Sequence, residues 1–215
     1  MQQEYSPSGL LPRPAVRRFP LYLREIEDCM ERGEEFISGA LLADVLGLDR
    51  VLVRKDLALT GVSGTPRLGF PVRELSTAIH SVLGWDTTTK AVLVGAGNLG
   101  SALLGYGGFR EYGLQIILAF DKDPMLCGRK VNDISIEPMD KLEPLVREKK
   151  VEIAILTVPG NAAQCCAEAL AKAGIRGIWN FSPAKLTLPP EITVQHENLA
   201  SSLAVLSHAI ATGIR

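Results

Sequence analysis

The sequence predicts an α/β protein in two parts, and three observations carry that expectation. Residues 15–58 contain three helical stretches punctuated by Gly33 and Gly47. From Lys90 onward, runs rich in Val and Ile alternate with helical stretches, the pattern of βαβ units whose parallel sheet is buried on both faces. The length, 215 residues, also exceeds one domain of about 100–150. Residues 1–86 are read as an N-terminal helical domain, 87–193 as a parallel-sheet domain and 194–215 as a C-terminal helical tail.

Composition excludes several classes. With 47% hydrophobic and 22% charged residues, and Gly and Pro near average usage, the chain can bury a core and is not collagen-like, low-complexity or disordered. The longest apolar runs, 116–120 and 153–156, fall far short of the roughly 20 residues that span a bilayer. No membrane is therefore expected as a partner. Residues 1–10 lack the basic start and apolar stretch of a signal peptide, which makes the cytoplasm the expected location. Cys29, Cys127, Cys165 and Cys166 show neither C-x-x-C nor Cys/His ligand spacing, so reduced thiols and no metal site are expected.

A formal net charge of −1 argues against nucleic acid until it is divided along the chain. Residues 1–24 balance at +3, 25–49 at −7 and 50–73 at +4. Two basic segments folded onto one face, with the acidic one turned away, present a positive surface despite the negative sum. Val16, Phe19, Leu23, Ile26 and Met30 recur at helical spacing, predicting a helix over 15–32 that Gly33 ends in a left-handed turn. Ser38 caps a short second helix with Leu41, Leu42, Val45 and Leu46, and Gly47 breaks it. Asp49 caps a third, with Val53 and Leu57 inward. Two short helices joined by a turn containing Gly form a helix-turn-helix, whose second helix exposes Arg54 and Lys55 where the major groove is read. The Gly-rich stretch 60–72 suits a tight hairpin with Arg67 near its tip, a wing. The same elements also fit a dimerisation or protein-binding module.

In the second part, strands are expected at 91–94, 115–120, 133–136, 152–157 and 177–180, and helices at 99–105, 141–149 and 162–173. Gly95, Ala96, Gly97, Asn98, Leu99 and Gly100 spell G-x-G-x-x-G between a strand and a helix. Gly95 permits the tight turn, Gly97 lets a pyrophosphate approach the backbone, and Gly100 lets helix and strand pack closely. The helix N-terminus then offers free amides and a positive dipole end to the phosphates. Asp121 ends the next apolar run, where a Rossmann-type fold places an acid on the adenosine ribose. An anion there repels a 2′-phosphate, favouring NAD(H), while neighbouring Lys122 is expected to point away. Thr157, Val158 and Pro159 after the fourth strand, and Asn180 and Phe181 after the fifth, are candidates to flank the nicotinamide half. Each loop can instead be read as a plain connecting turn. Leu199, Leu203, Leu206 and Ile210, with Asn198 as cap, make an amphipathic tail helix that covers its own domain or reaches another subunit.

A dehydrogenase needs a substrate domain and an acid or base near the nicotinamide. His80 falls in the link between domains and His196 and His208 in the C-terminal segment, so no catalytic residue is assigned. A small NAD-dependent oxidoreductase and a CoA-binding Rossmann protein remain the alternative readings.

A DNA reader joined to a dinucleotide binder resembles the Rex family of redox-sensing transcriptional repressors. The residues that carry the resemblance are 18–22 (R-F-P-L-Y), 53–57 (V-R-K-D-L), 95–100, 120–124 (F-D-x-D-P), 157–159 (T-V-P) and 177–183 (G-I-x-N-F-x-P). It implies a homodimer with exchanged C-terminal helices that binds a palindromic operator when NAD+ dominates and leaves it when NADH binds. Expected DNA contacts are Arg18, Ser38, Arg50, Arg54, Lys55 and Arg67. The family pairs a Tyr, matched by Tyr106, with an Asp near the start of the partner's tail helix. That Asp is Asn198 here, and a neighbouring Phe is Leu199. The wing carries Pro66-Arg67 in place of Arg-Gly, and Thr60 replaces a Phe. These departures imply an altered redox response more than a lost repressor identity.

Overall fold

Helix α1 spans Arg13–Glu31 with a proline in its first turn, where a missing N–H sacrifices no intrahelical bond. It opens the computed structural model, which describes residues 11–213, in two units dividing between Thr87 and Thr88. The reading of residues 1–10 as free of an export signal lies outside the described residues.

In the first unit, β1 (Phe36–Ile37) leads into α2 (Gly39–Leu46). Ser38 caps α2 by accepting from the Leu41 N–H at 3.0 Å, and Gly47 ends it at φ +63°. Asp49 accepts from the N–H groups of Val51 and Leu52, both at 2.9 Å, to start α3 (Arg50–Ala58). The helix-turn-helix therefore forms as its cap residues dictate. Phe19, Tyr22, Ile26, Leu42, Val53, Leu57, Leu75 and Ile79 make its fully buried core.

Two features differ from expectation. The wing is tighter than a 60–72 hairpin: its chain reverses between Thr65 and Gly69, joined by a single antiparallel bridge. The outgoing β2 (Phe70–Pro71) pairs with β1 instead of a wing strand. Beyond it, the stretch containing His80 is no linker but helix α4 (Val72–Leu83), which packs on α1 and buries Val72, Leu75 and Ile79.

The second unit is built on a seven-stranded sheet. Its strands are β3 (Thr89–Val94), β4 (Leu114–Asp121), β5 (Lys130–Val131), β6 (Ile134–Pro138), β7 (Ile153–Leu156), β8 (Gly177–Asn180) and β9 (Thr193–His196). The order is β5-β6-β4-β3-β7-β8-β9, parallel except for β5. Counting only parallel strands, this is the 3-2-1-4-5-6 order of a dinucleotide-binding sheet. Two of its strands, β5 and β9, lie outside the strands expected from the sequence.

Both faces are covered, as the Val/Ile runs require. Val92 and Val94 face the cluster beneath α6 (Leu142–Lys149) and α7 (Gly160–Ala173), while Leu93 between them joins Leu104 of α5 (Asn98–Leu104). The tail helix α8 (Leu199–Thr212) buries none of its residues; Leu199, Leu203, Leu206 and Ile210 all stand exposed.

Candidate dinucleotide crevice and DNA-reading helix

The strand order reverses between β3 and β7, and the loops after these two strands meet there. Gly95 leaves β3 at φ +99°, a conformation that glycine adopts freely, and a Cβ at that position would lie 2.8 Å from the Thr157 carbonyl oxygen. A Cβ on Gly100 would run into the Gly95 carbonyl oxygen. The Thr157 hydroxyl donates to that same oxygen at 2.7 Å, stitching the two loops together across the reversal. Gly97 is the opposite case: a Cβ there meets nothing within 4 Å. This open space lies over the first turn of α5, whose N–H groups lack intrahelical partners. The turn has the backbone access a pyrophosphate needs.

Asp121 ends β4 beside that turn. One carboxylate oxygen accepts from the Ala96 N–H at 2.6 Å and the other from the Asp123 N–H at 2.9 Å, fixing its orientation. Lys122 is exposed, as are Asn98, Leu99 and Pro159, while Thr157 and Val158 are half-buried. Burial pushes up the thiol of Cys166 on α7, and nearby Cys165 adds to the effect.

Asn180 does not fit the role expected of it. It is fully buried, and its side chain is consumed internally: the amide nitrogen donates to Ala184 O at 2.9 Å and to His196 Nδ1 at 3.0 Å. Its oxygen accepts from the Ser182 N–H and hydroxyl. Asn180 therefore shapes the loop rather than facing a ligand. Half-buried Phe181 packs on Trp179, and exposed Tyr106, just past α5, lies edge-on to Phe109 with centroids 4.9 Å apart.

In the first unit, Arg54 and Lys55 are exposed on α3, with Ser38 and Arg50 also exposed nearby in the chain and Arg67 at the wing tip. Arg50 ion-pairs with Asp44 at 2.8 Å, both side chains being largely exposed. Arg18 departs from the DNA contact expected of it: its guanidinium grips Asp56 of α3 through two hydrogen bonds of 2.6 and 2.9 Å. The Tyr22 hydroxyl donates to the same carboxylate at 2.6 Å. Burial alone would raise the Asp56 carboxyl, but the bonds from Arg18 and Tyr22 outweigh it and hold the group below the ordinary carboxylate range. Burial and the bond to Asp56 push the Tyr22 phenol up to about 12. Arg18 thus clamps α1 to the base of α3 instead of offering its charge to a phosphate. A pair separated by 38 residues leaves no local signature, so nothing in the sequence turns Arg18 inward.

Fold and site together define a helix-turn-helix protein carrying a dinucleotide-binding type of sheet domain. Residues 11–58 match the family profile described as "Putative DNA-binding protein N-terminus", and residues 86–184 match the "CoA binding domain". A redox-sensing transcriptional repressor Rex from Treponema denticola is 48% identical over 90% of this chain and 92% of its own. Its counterpart from Carboxydothermus hydrogenoformans is 42% identical over 93% and 96%. The crystal structure of RSP, with β-NAD+ and operator DNA, superposes with a TM-score of 0.89 at 31% identity, over 96% of this chain and 95% of that one. RSP with β-NADH gives 0.87 at 30% identity, over 96% and 97%. The chain belongs to the Rex family of redox-sensing transcriptional repressors.

Proposed function

We propose that this protein is a homodimeric repressor that holds a palindromic operator when NAD+ dominates and releases it when NADH binds. The observation that carries the reading is the fingerprint turn with Asp121 oriented beside it, in one chain with an exposed recognition-type helix. It is supported by the relative RSP, known with NAD+ and operator DNA and with NADH.

In this reading the turn from Gly95 to Gly100 receives the pyrophosphate, and Asp121 takes the adenosine ribose hydroxyls. Thr157, Val158, Pro159 and Phe181 border the nicotinamide side, with Tyr106 near the end of α5. When bound, the dinucleotide supplies a ring whose charge differs between its two oxidation states. The protein responds only through a difference in affinity between its DNA-competent and incompetent arrangements, so operator DNA weakens NADH binding by the same factor. Arg54 and Lys55 meet base edges and phosphates, aided by Ser38, Arg50 and Arg67.

The exposed apolar stripe of α8 supports exchange of tail helices between subunits, since a lone helix of this length is marginal in water. No described helix is long and apolar enough to cross a membrane. A cytoplasmic location belongs to this reading, as operator DNA and a varying NADH/NAD+ ratio occur together there. The CoA alternative is less favoured because Asp121 stands where the adenosine ribose would bring CoA's 3′-phosphate. No enzymatic role is proposed, the relatives being named as repressors. A gel-shift series on a palindromic operator, with NAD+ and NADH titrated separately, tests the reading: release by NADH alone is expected, and an operator complex indifferent to both overturns it.

A further inference from the structure

The segment joining β9 to α8 is held against the end of β8. The Glu197 N–H donates to the Asn180 carbonyl at 2.9 Å, the Asn180 amide donates to His196 Nδ1, and the Trp179 indole N–H donates to Glu197 Oε1 at 2.7 Å. The last of these is charge-assisted and partly buried, which makes it the strongest side-chain tie on the segment. Glu197 immediately precedes Asn198, whose side chain accepts from the Ser201 N–H to cap α8. The tie therefore sits at the root of the tail helix.

The other end of Trp179 lies among rings. It meets Phe181 at 5.0 Å between centroids and Phe109 at 5.7 Å, and Phe109 meets Tyr106 at 4.9 Å. One indole thus touches the loop after β8, the aromatic pair leading back to α5, and the carboxylate at the root of α8. We infer that Trp179 and Glu197 are positioning residues that couple the Phe181 loop to the direction in which α8 leaves the sheet. The inference rests on the reading of this protein as an NAD(H)-responsive repressor.

The geometry suits such a role because a hydrogen bond is short-ranged. A ring displacement of about 1 Å at Phe181, passed to the indole, carries a bond of this length out of hydrogen-bonding range. Packed rings pass displacement on because a close-packed cluster has little free volume to absorb it. A helix of this size is about 20 Å long, so a tilt of about 10° at its root moves its far end by about 3.5 Å.

Three substitutions in the full-length protein test the pair. Trp179→Phe keeps a ring and removes the N–H, Glu197→Ala removes the acceptor, and Glu197→Gln retains an acceptor oxygen. NADH affinity is read from nicotinamide fluorescence, and operator affinity from fluorescence anisotropy with and without saturating NADH. Trp179→Phe and Glu197→Ala are expected to bind NADH within about 2-fold of the parent while losing about 5-fold or more of the ratio between the two operator affinities. Glu197→Gln is expected to restore most of that ratio. A responsive parent whose Trp179→Phe and Glu197→Ala forms respond equally overturns the pair alone. Equal losses of NADH affinity and of response in both variants also overturn it, assigning them a merely structural role. A parent whose operator affinity NADH leaves unchanged overturns the functional reading beneath it.

Discussion

Arg18 and Asp56 face each other as a bidentate ion pair, with the Asp56 side chain 5% exposed and that of Arg18 19%. The pair joins the first helix to the underside of the recognition-type helix. Asp56→Asn leaves a guanidinium without its counter-charge and is expected to destabilise the first unit by about 3–5 kcal/mol, measured by chemical denaturation. Because the folded Asp56 carboxyl lies below its unfolded value, its stabilising contribution is fully present above about pH 4. The contribution falls away as pH drops through the folded value. A denaturation series from neutral to strongly acidic pH should show that loss in the parent and not in Asp56→Asn.

Gly97 and Gly100 should separate ligand approach from packing. Gly97→Ala adds a methyl in open space, so thermal stability should change little while NADH affinity falls by about 10-fold or more, on a steric loss of about 1.4 kcal/mol. Gly100→Ala forces a methyl against a backbone carbonyl and should lower melting temperature and NADH affinity together. Calorimetry with a fluorescence titration reads both.

Asp121→Ala removes the expected ribose acceptor and also strands the Ala96 N–H. NADH affinity should fall by about 10–100-fold, the scale of one charge-assisted hydrogen bond, and discrimination against NADPH should relax. Parallel titrations with the two dinucleotides check it; an unchanged preference removes Asp121 from the site.

Replacing Arg54 and Lys55 by Ala should weaken operator binding. It should also lower the slope of log affinity against log salt by about 0.9 for each phosphate that is no longer neutralised. Anisotropy at several salt concentrations measures it, and an equally tight double variant would sink the assignment of α3 to DNA.

Asn198→Asp tests the position where the family resemblance expects an Asp. Asp caps a helix about as well as Asn, so helix stability should hold, while the added charge should, if that expected role holds, let operator release occur at several-fold lower NADH. A gel-shift titration against the parent protein reads the difference.

What is legible in the sequence follows what is local. Ser38, Asp49 and Gly47 announce the helix-turn-helix because caps and left-handed ends act within a few residues, and the turn from Gly95 to Gly100 announces itself for the same reason. Helix α4 escapes notice although Val72, Leu75 and Ile79 carry helical spacing, because the Gly-rich run before it reads on into a linker. Strand β9 is hidden because its residues are mostly exposed, so no continuous apolar run marks it, and only its ladder with β8 reveals it. The inward commitments of Arg18 and Asn180 are invisible because their partners are fixed by tertiary packing. An Asx turn from Asn180 to Ser182 is the one local hint for the latter.

At the wing tip, Arg67 sits at φ +68°, a conformation that most L residues avoid, directly after Pro66, whose ring fixes its own φ. A loop already narrowed to few shapes before docking has little disorder left to surrender when it meets a partner. Its contribution to a DNA complex should therefore appear as slower dissociation and a smaller unfavourable entropy of association, rather than as a larger buried area.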